Sequence, residues 1–240
     1  MPSERTENTD IQFPSKEDIA RGYDEIPEEK FMPRKFHQKC VELLRSELNE
    51  GAKVADFGCG HGTLLHVLSE LPMRLALTAC DLSPVLAEKT QKRVPDADVR
   101  VADIEVLPFD NDYFDAAFAT EVMEHLGTPS KALGEIIRVL KPEGWLLVSL
   151  PNRDWFRFEE YVQQRNKFQP VDDHFYSVEE MEDFLRKAGF EIRLIRGGEN
   201  LFFGGGLPHL MEKIALLLYP PLHRRMKRMI LLACKPLADR

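Results

Sequence analysis

A short apolar segment that runs directly into three alternating glycines constrains this sequence more than any other feature. Residues 53–57 form the apolar run, Gly58, Gly60 and Gly62 follow it, and a helical pattern covers residues 63–71. Glycines let the backbone turn tightly and approach a ligand, and free amides at a helix start favour an anionic or polar group. The segment therefore predicts a ligand-binding loop, although a purely structural tight turn has the same pattern.

Aspartates stand at the ends of the first three predicted strands. They are Asp56, Asp81 and Asp103, and the carboxyl ends of parallel strands share the sheet edge where open α/β folds bind ligands. Asp81 is placed to accept hydrogen bonds from two ribose hydroxyls, and Asp103 from an exocyclic amine. Alternatively, Asp81 caps the next turn and Asp103 is a solvated loop residue. Together the three carboxylates predict a nucleoside pocket.

The rest of the chain predicts one α/β domain. Short apolar runs alternate with amphipathic segments, which is typical of βαβ units and a mostly parallel sheet. The 240 residues, 43% of them hydrophobic, suit a single globular domain. We expect residues 1–15 to be a disordered tail and residues 16–240 to be the domain, with a helical cap at about 16–50 and a helical insertion at about 202–226.

Charge and cysteine usage limit the functional class. Lys+Arg 32 against Asp+Glu 40 gives a net charge of −8, and basic residues concentrate after Leu201, so the body of the protein is acidic. An acidic body disfavours nonspecific nucleic-acid binding as the main activity. The four cysteines lie far apart, without the spacing of a zinc site or a disulfide framework. Residues 1–15 hold no apolar run of a secretory signal, so we expect a cytoplasmic protein.

Five blocks, in order, resemble the class I S-adenosylmethionine-dependent methyltransferases, especially the small-molecule group that includes ubiquinone and menaquinone biosynthesis enzymes. The blocks are VADFGCGHG, ACDLS, VADIEVLPFDNDYFDAAFATEVMEHL, LKPEGWLLVSLPN and HFYSVEEMEDFLRKAGF, and the resemblance runs from about Phe36 to Ile195. The loop lacks the G-x-G-x-x-G spacing of dinucleotide sites. The resemblance implies a Rossmann-like, seven-stranded, mostly parallel sheet with helices on both faces and an antiparallel last strand at residues 229–234.

The resemblance also implies a binding site for S-adenosylmethionine and its product S-adenosylhomocysteine. Ten residues would form it: Asp56, Gly58, Cys59, Gly60, Gly62, Asp81, Leu82, Asp103, Ile104 and Thr120. Asp56 would orient the glycine loop, which passes under the methionine part of the cofactor near Thr120. Asp81 would hold the ribose and Asp103 the adenine amine, while the residue after each aspartate packs on the adenine ring.

Two histidines are candidate catalytic bases. A methyl on a sulfonium is already activated, so a base helps only where the acceptor must lose a proton. His125 and His174 are the candidates, and for each the alternative is a capping or packing role. If Glu121 and Glu124 shared a helical face with His125, His174 could complete a divalent metal site similar to that of small-RNA 3′-end methyltransferases. Because E-x-x-E-H-L is also widespread in metal-free relatives, we predict no metal.

The expected activity is methyl transfer to a small or lipid/quinone-like organic acceptor, most readily at oxygen. The alternatives are an RNA methyltransferase with the metal site above and a non-enzymatic S-adenosylmethionine-binding regulator. An aromatic-rich stretch at residues 155–176 would either pack on the core or line the acceptor pocket. Residues 207–228 join a broad apolar stripe to a basic cluster, which indicates a peripheral membrane contact, a lid or a homodimer contact.

Overall fold

Seven strands of the computed structural model form one sheet within the described residues, which are 15–126, 129–165, 173–197, 216–217 and 219–237. The strands are β1 Lys53–Phe57, β2 Ala76–Asp81, β3 Asp98–Val101, β4 Phe114–Thr120, β5 Leu140–Pro151, β6 Glu191–Gly197 and β7 Arg228–Cys234. Their order across the sheet is β3-β2-β1-β4-β5-β7-β6. β7 is antiparallel to both of its neighbours and the other pairs are parallel, which confirms the predicted α/β architecture.

Helices cover both faces of this sheet, as predicted. They are α1 Lys16–Asp24, α2 Arg34–Leu44, α3 Thr63–Ser69, α4 Pro84–Arg93, α5 Ser130–Val139, α6 Phe158–Arg165 and α7 Val178–Lys187. Side chains alternate along a strand, so in β4 Ala117 and Ala119 join the cluster under α5 and α7. Ala116 and Phe118 join the opposite cluster with α2 and α3.

Local capping explains where two helices begin. Ser83 accepts a hydrogen bond from the Leu86 amide at 3.0 Å, and Pro84 fills the first helical position of α4, as its sequence predicts. Ser177 and Glu180 form a reciprocal capping box at the start of α7. These interactions fix the helix starts at the sheet edge where the site lies.

The structure differs from the sequence pattern at three places. The apolar repeat over residues 36–48 predicts one helix, but α2 ends at Leu44 and continues as the 3-10 helix Arg45–Glu47. The pattern at 122–126 also predicts a helix, and the structure has a single 3-10 turn there, Met123–His125. The sequence Lys-Pro-Glu-Gly at 141–144 predicts a turn that ends α5, but these residues belong to β5 as a register shift, and Glu143 takes a positive φ of 63° there. A bulge of this kind leaves no trace in the hydrophobic pattern.

The predicted tail and most of the predicted insertion helix lie outside the described residues. After them, Pro220–Arg225 forms a 3-10 helix that leads into β7. None of the described helices combines the length and the apolar content that a bilayer span requires. The four cysteine thiols are free and buried.

Candidate active site

A cavity of about 810 Å³ opens at the carboxyl ends of β1, β2 and β4. It is lined by nine of the ten residues predicted to bind the cofactor: Asp56, Gly58, Cys59, Gly60, Asp81, Leu82, Asp103, Ile104 and Thr120. Gly62, the tenth, is not a lining residue. It precedes α3 with a φ of 73°, and a Cβ there would lie 2.8 Å from the Thr90 hydroxyl oxygen. Its role in this structure is close packing.

The glycine loop is held by β2. The amides of Gly58 and Cys59 donate to the Cys80 carbonyl at 2.8 and 3.1 Å, and the Gly60 amide donates to one carboxylate oxygen of Asp81 at 2.8 Å. The other oxygen of Asp81 accepts from the Ser83 amide at 2.9 Å. Asp81 therefore caps this turn, as the alternative interpretation had it, and also lines the cavity. A carboxylate has about four lone-pair sites, so Asp81 keeps acceptor capacity for a ligand.

Asp56 does not orient the loop by hydrogen bonding. It is 1% exposed, and both carboxylate oxygens lack a hydrogen-bond partner among the described residues. Burial, together with the charge of Asp81, raises the pKa of Asp56 to about 8. Buried polar atoms are nearly always hydrogen-bonded in native structures. An orphaned carboxyl on the cavity wall is the feature expected where a ligand supplies the missing donor.

Helix α1 covers the nucleoside end of the cavity, a contact that no local pattern predicted. The Lys16 ammonium hydrogen-bonds the carboxylates of Asp103 and Glu105. At the other end of α1, the Ser83 hydroxyl donates to Asp24. These polar contacts place α1 over the sheet edge although none of its residues is buried.

His125 lies on the cavity wall between a tyrosine and an aspartate. Its Nδ1 is 2.8 Å from the Asp173 carboxylate, whose side chain is only 1% exposed. The Tyr23 hydroxyl lies 3.0 Å from Nδ1 and 3.1 Å from Nε2 of the same ring. The Tyr23 oxygen is therefore almost equidistant from the two ring nitrogens, and Asp173 forms an ion pair with the ring when His125 is protonated. The arrangement suits removal of a proton from a hydroxyl group.

His174 is not brought to the cavity. Its backbone amide donates to the Glu124 carbonyl at 2.6 Å, which ties its segment to the turn that carries His125. The neighbouring Asp173 contacts His125, a role that the sequence did not predict. The only sequence signal for Asp173 was that two adjacent aspartates precede His174.

The alternative metal site does not form. Glu121 has a φ of 57° and precedes a 3-10 turn, so the glutamates and His125 do not share an α-helical face. Glu121 instead accepts from the Ser149 hydroxyl at 3.1 Å and pairs with Arg228 at 2.9 Å. Nowhere in the described part of the chain do three His, Cys, Asp or Glu side chains gather as metal ligands.

Side chains of α6 and of the segment that enters β7 also line the cavity. Tyr161 and Gln164 of α6 line it together with Lys227 and Arg228. Within the basic cluster Arg224, Arg225, Lys227 and Arg228, Arg228 is only 6% exposed, whereas Arg224 and Arg225 are exposed. Arg224 of the same cluster pairs with Glu182 at 2.6 Å.

Comparison with known proteins decides the family. A family model described as a methyltransferase domain matches residues 29–195, more than half of the chain. The chain belongs to this methyltransferase family. A probable S-adenosylmethionine-dependent methyltransferase of Mycolicibacterium smegmatis is 28% identical over 160 residues, which cover 67% of this chain and 59% of that protein.

One further relative and one solved structure are also similar to this methyltransferase. The ubiquinone biosynthesis O-methyltransferase of Xanthomonas axonopodis pv. citri is 30% identical over 162 residues, 61% of this chain and 66% of that protein. The solved S-adenosylmethionine-dependent methyltransferase of Thermotoga maritima superposes with a TM-score of 0.66 at 22% identity, covering 90% of this chain and 99% of that one. The family makes the reaction a methyl transfer and the cofactor S-adenosylmethionine. The orphaned Asp56 carboxyl and the glycines of the loop fit such a cationic ligand.

Proposed function

We propose that this methyltransferase methylates a small or lipid/quinone-like organic acceptor at an oxygen atom, with His125 as the base. The Tyr23–His125–Asp173 arrangement on the cavity wall carries the proposal. The likeness to a ubiquinone biosynthesis O-methyltransferase supports the acceptor class. The metal cluster on which the RNA alternative relied does not form in the described residues, so that alternative is not favoured.

The nucleoside end of the cavity would bind the cofactor, which when bound supplies a methyl group activated on sulfonium. Asp81 would accept from the ribose hydroxyls while it continues to hold the Gly60 amide. Asp103 would accept a hydrogen bond from the adenine amine. The Lys16 ammonium, which hydrogen-bonds Asp103, would then either share that carboxylate with the amine or move away from it. Asp56 would accept from the cationic methionine end of the ligand.

At the acceptor end, the chain's own residues would orient the nucleophile and move one proton. The Asp173 carboxylate lies 2.8 Å from Nδ1, and the Tyr23 hydroxyl, which lies within hydrogen-bond distance of the ring nitrogens, would mark the place of the acceptor oxygen. When the acceptor hydroxyl stands there, the imidazole takes its proton as the oxygen attacks. Asp173 then stabilises the imidazolium that results.

His125→Ala tests the proposal. Removing a general base should lower turnover about 10² to 10⁴-fold and leave S-adenosylmethionine affinity nearly unchanged. Turnover is measured as S-adenosylhomocysteine release with a panel of phenolic, quinol and lipid acceptors and, separately, a panel of RNAs. His66→Ala is the matched control, because His66 lies on α3 and its side chain is 41% exposed.

Two outcomes would contradict the assignment. Normal turnover per folded molecule in His125→Ala would leave His125 with only a packing role. Release of S-adenosylhomocysteine with RNA but with none of the small acceptors would overturn the acceptor class.

A further inference from the structure

We infer that the acceptor carries an anionic group, a carboxylate or a phosphate, that binds Lys227 and Arg228 on the cavity wall. The inference rests on the proposed function and narrows its substrate class. The two cations are adjacent in the chain, both line the cavity, and Arg228 contacts Glu121, which follows β4.

The structure holds this basic pair in place through Asn152. The side-chain amide of Asn152, which is fully buried, donates to the carbonyls of Arg224 and Met226 at 2.9 and 2.8 Å. Its backbone amide donates to the Lys227 carbonyl at 2.9 Å. Three hydrogen bonds from one buried residue fix the segment that enters β7. Such support is typical of a preorganised binding site.

Burying the Arg228 guanidinium costs free energy, and the groups around it offset this cost. A buried guanidinium must be paired, and Nη1 contacts the Glu121 carboxylate at 2.9 Å and the Tyr161 hydroxyl at 3.4 Å. The Glu121 backbone has a φ of 57°. The second carboxylate oxygen of Glu121 accepts a hydrogen bond from the Ser149 hydroxyl. Non-glycine residues keep such a conformation only where the surrounding structure enforces it, and these positions cluster at functional sites.

Lys227 brings a second positive charge to the same wall. Its Nζ lies 5.1 Å from the centre of the Tyr161 ring, beside Arg228, whose guanidinium carbon is 5.7 Å from that centre. A ligand anion beside the two cations would be attracted more strongly in a low-dielectric cavity than in water. Tyr161 and Gln164 add hydroxyl and amide donors to the same wall.

Calorimetric titration of the full-length protein saturated with S-adenosylhomocysteine tests the inference. The anionic probes are 4-hydroxybenzoate and phenyl phosphate, and the neutral ones are methyl 4-hydroxybenzoate and phenol. We expect at least one anion to bind ten- to a hundredfold more tightly than its neutral counterpart, the range for hydrogen bonds to charged groups. Which anion binds distinguishes a carboxylate from a phosphate.

Lys227→Ala should remove most of that preference and leave the neutral probes unchanged. Arg225→Ala is the matched control, because Arg225 is exposed and outside the cavity lining. Since Arg228→Ala leaves Glu121 buried without its cation and could fail to fold, Arg228→Lys, which keeps the charge, is the second variant. Arg228→Lys alone should weaken anion binding less than the double variant that carries both Lys227→Ala and Arg228→Lys.

Equal affinity for anions and neutral probes, or no measurable anion binding, would overturn the inference. Methyl transfer to neutral acceptors but to none of the anionic ones would also overturn it and leave the proposed function intact. Anion binding that depends on Lys227, without S-adenosylhomocysteine release from any hydroxylated acceptor, would instead overturn the O-methylation.

Discussion

Asp56→Asn should stabilise the ligand-free protein at neutral pH. The Asp56 carboxyl is buried and neither oxygen has a hydrogen-bond partner in the described structure. Burial and the nearby Asp81 raise its pKa to about 8, from 3.8. At pH 7 the folded protein therefore keeps a proton that the unfolded chain releases. Asparagine has nearly the same shape and carries no proton to retain.

The magnitude and the pH range follow from these two pKa values. Because the folded pKa lies above the unfolded pKa, the contribution of Asp56 to stability is present below pH 4 and is lost as the pH rises to about 8. Each pH unit between them costs about 1.4 kcal/mol at most. At pH 7 the loss in free energy of unfolding amounts to about 2 to 4 kcal/mol, which the asparagine variant avoids.

Urea unfolding of the two proteins at pH values from 5 to 9 measures this difference. The gap between Asp56→Asn and the parent should widen up to about pH 8 and then stay constant, while Asp96→Asn, at an exposed position, should follow the parent throughout. S-adenosylmethionine affinity should fall in Asp56→Asn even as stability rises. Parallel pH profiles for the parent and Asp56→Asn would refute the reasoning.

Two further predictions concern the stability of the fold at His37 and Gly62. His37 is buried with Nδ1 unpaired among the described residues, and burial lowers its pKa from 6.5 to about 4, so stability should be lost as the pH falls between these values. His37→Gln should reduce that acid sensitivity in urea unfolding at pH 5 against pH 7, and an unchanged difference would contradict the prediction. Gly62→Ala should destabilise the protein by about 1 to 3 kcal/mol, because φ is 73° and the new Cβ would lie 2.8 Å from Thr90. Thermal unfolding checks it, and an unchanged midpoint would show that Thr90 yields without cost.

The sheet was predictable because its signals are local. The pattern of residues 53–57 and 98–101 predicts β1 and β3 with the bounds that the structure shows. β1 is buried and reads as an apolar run, whereas β3 is a mostly exposed edge strand. The nucleoside end of the cavity was predictable for the same reason, since Asp81 and Asp103 are defined by the strands they follow. The β5 bulge was missed because the positive φ of Glu143 has no periodic signature.

The acceptor end could not be read from the sequence in the same way. Tyr23 meets His125 across 102 residues, and Arg228 meets Glu121 across an even longer separation. Such contacts depend on how α1 and the start of β7 pack on the sheet edge, and a single sequence shows no periodicity that couples them. His125 was identified from its own position, whereas its partner Asp173 required the fold.

Three groups that lower the stability of this protein line the cavity. They are an unpaired carboxyl at Asp56, a left-handed backbone at Glu121 and a buried guanidinium at Arg228. Away from it, the same strands β4 and β5 pack through fully buried apolar residues such as Phe118 and Leu147. Since each cavity group is one that a ligand of opposite charge or matching donors would complete, the cost of keeping them is recovered only in the complex. Ligands that bind both ends of the cavity should therefore stabilise the fold more than either alone.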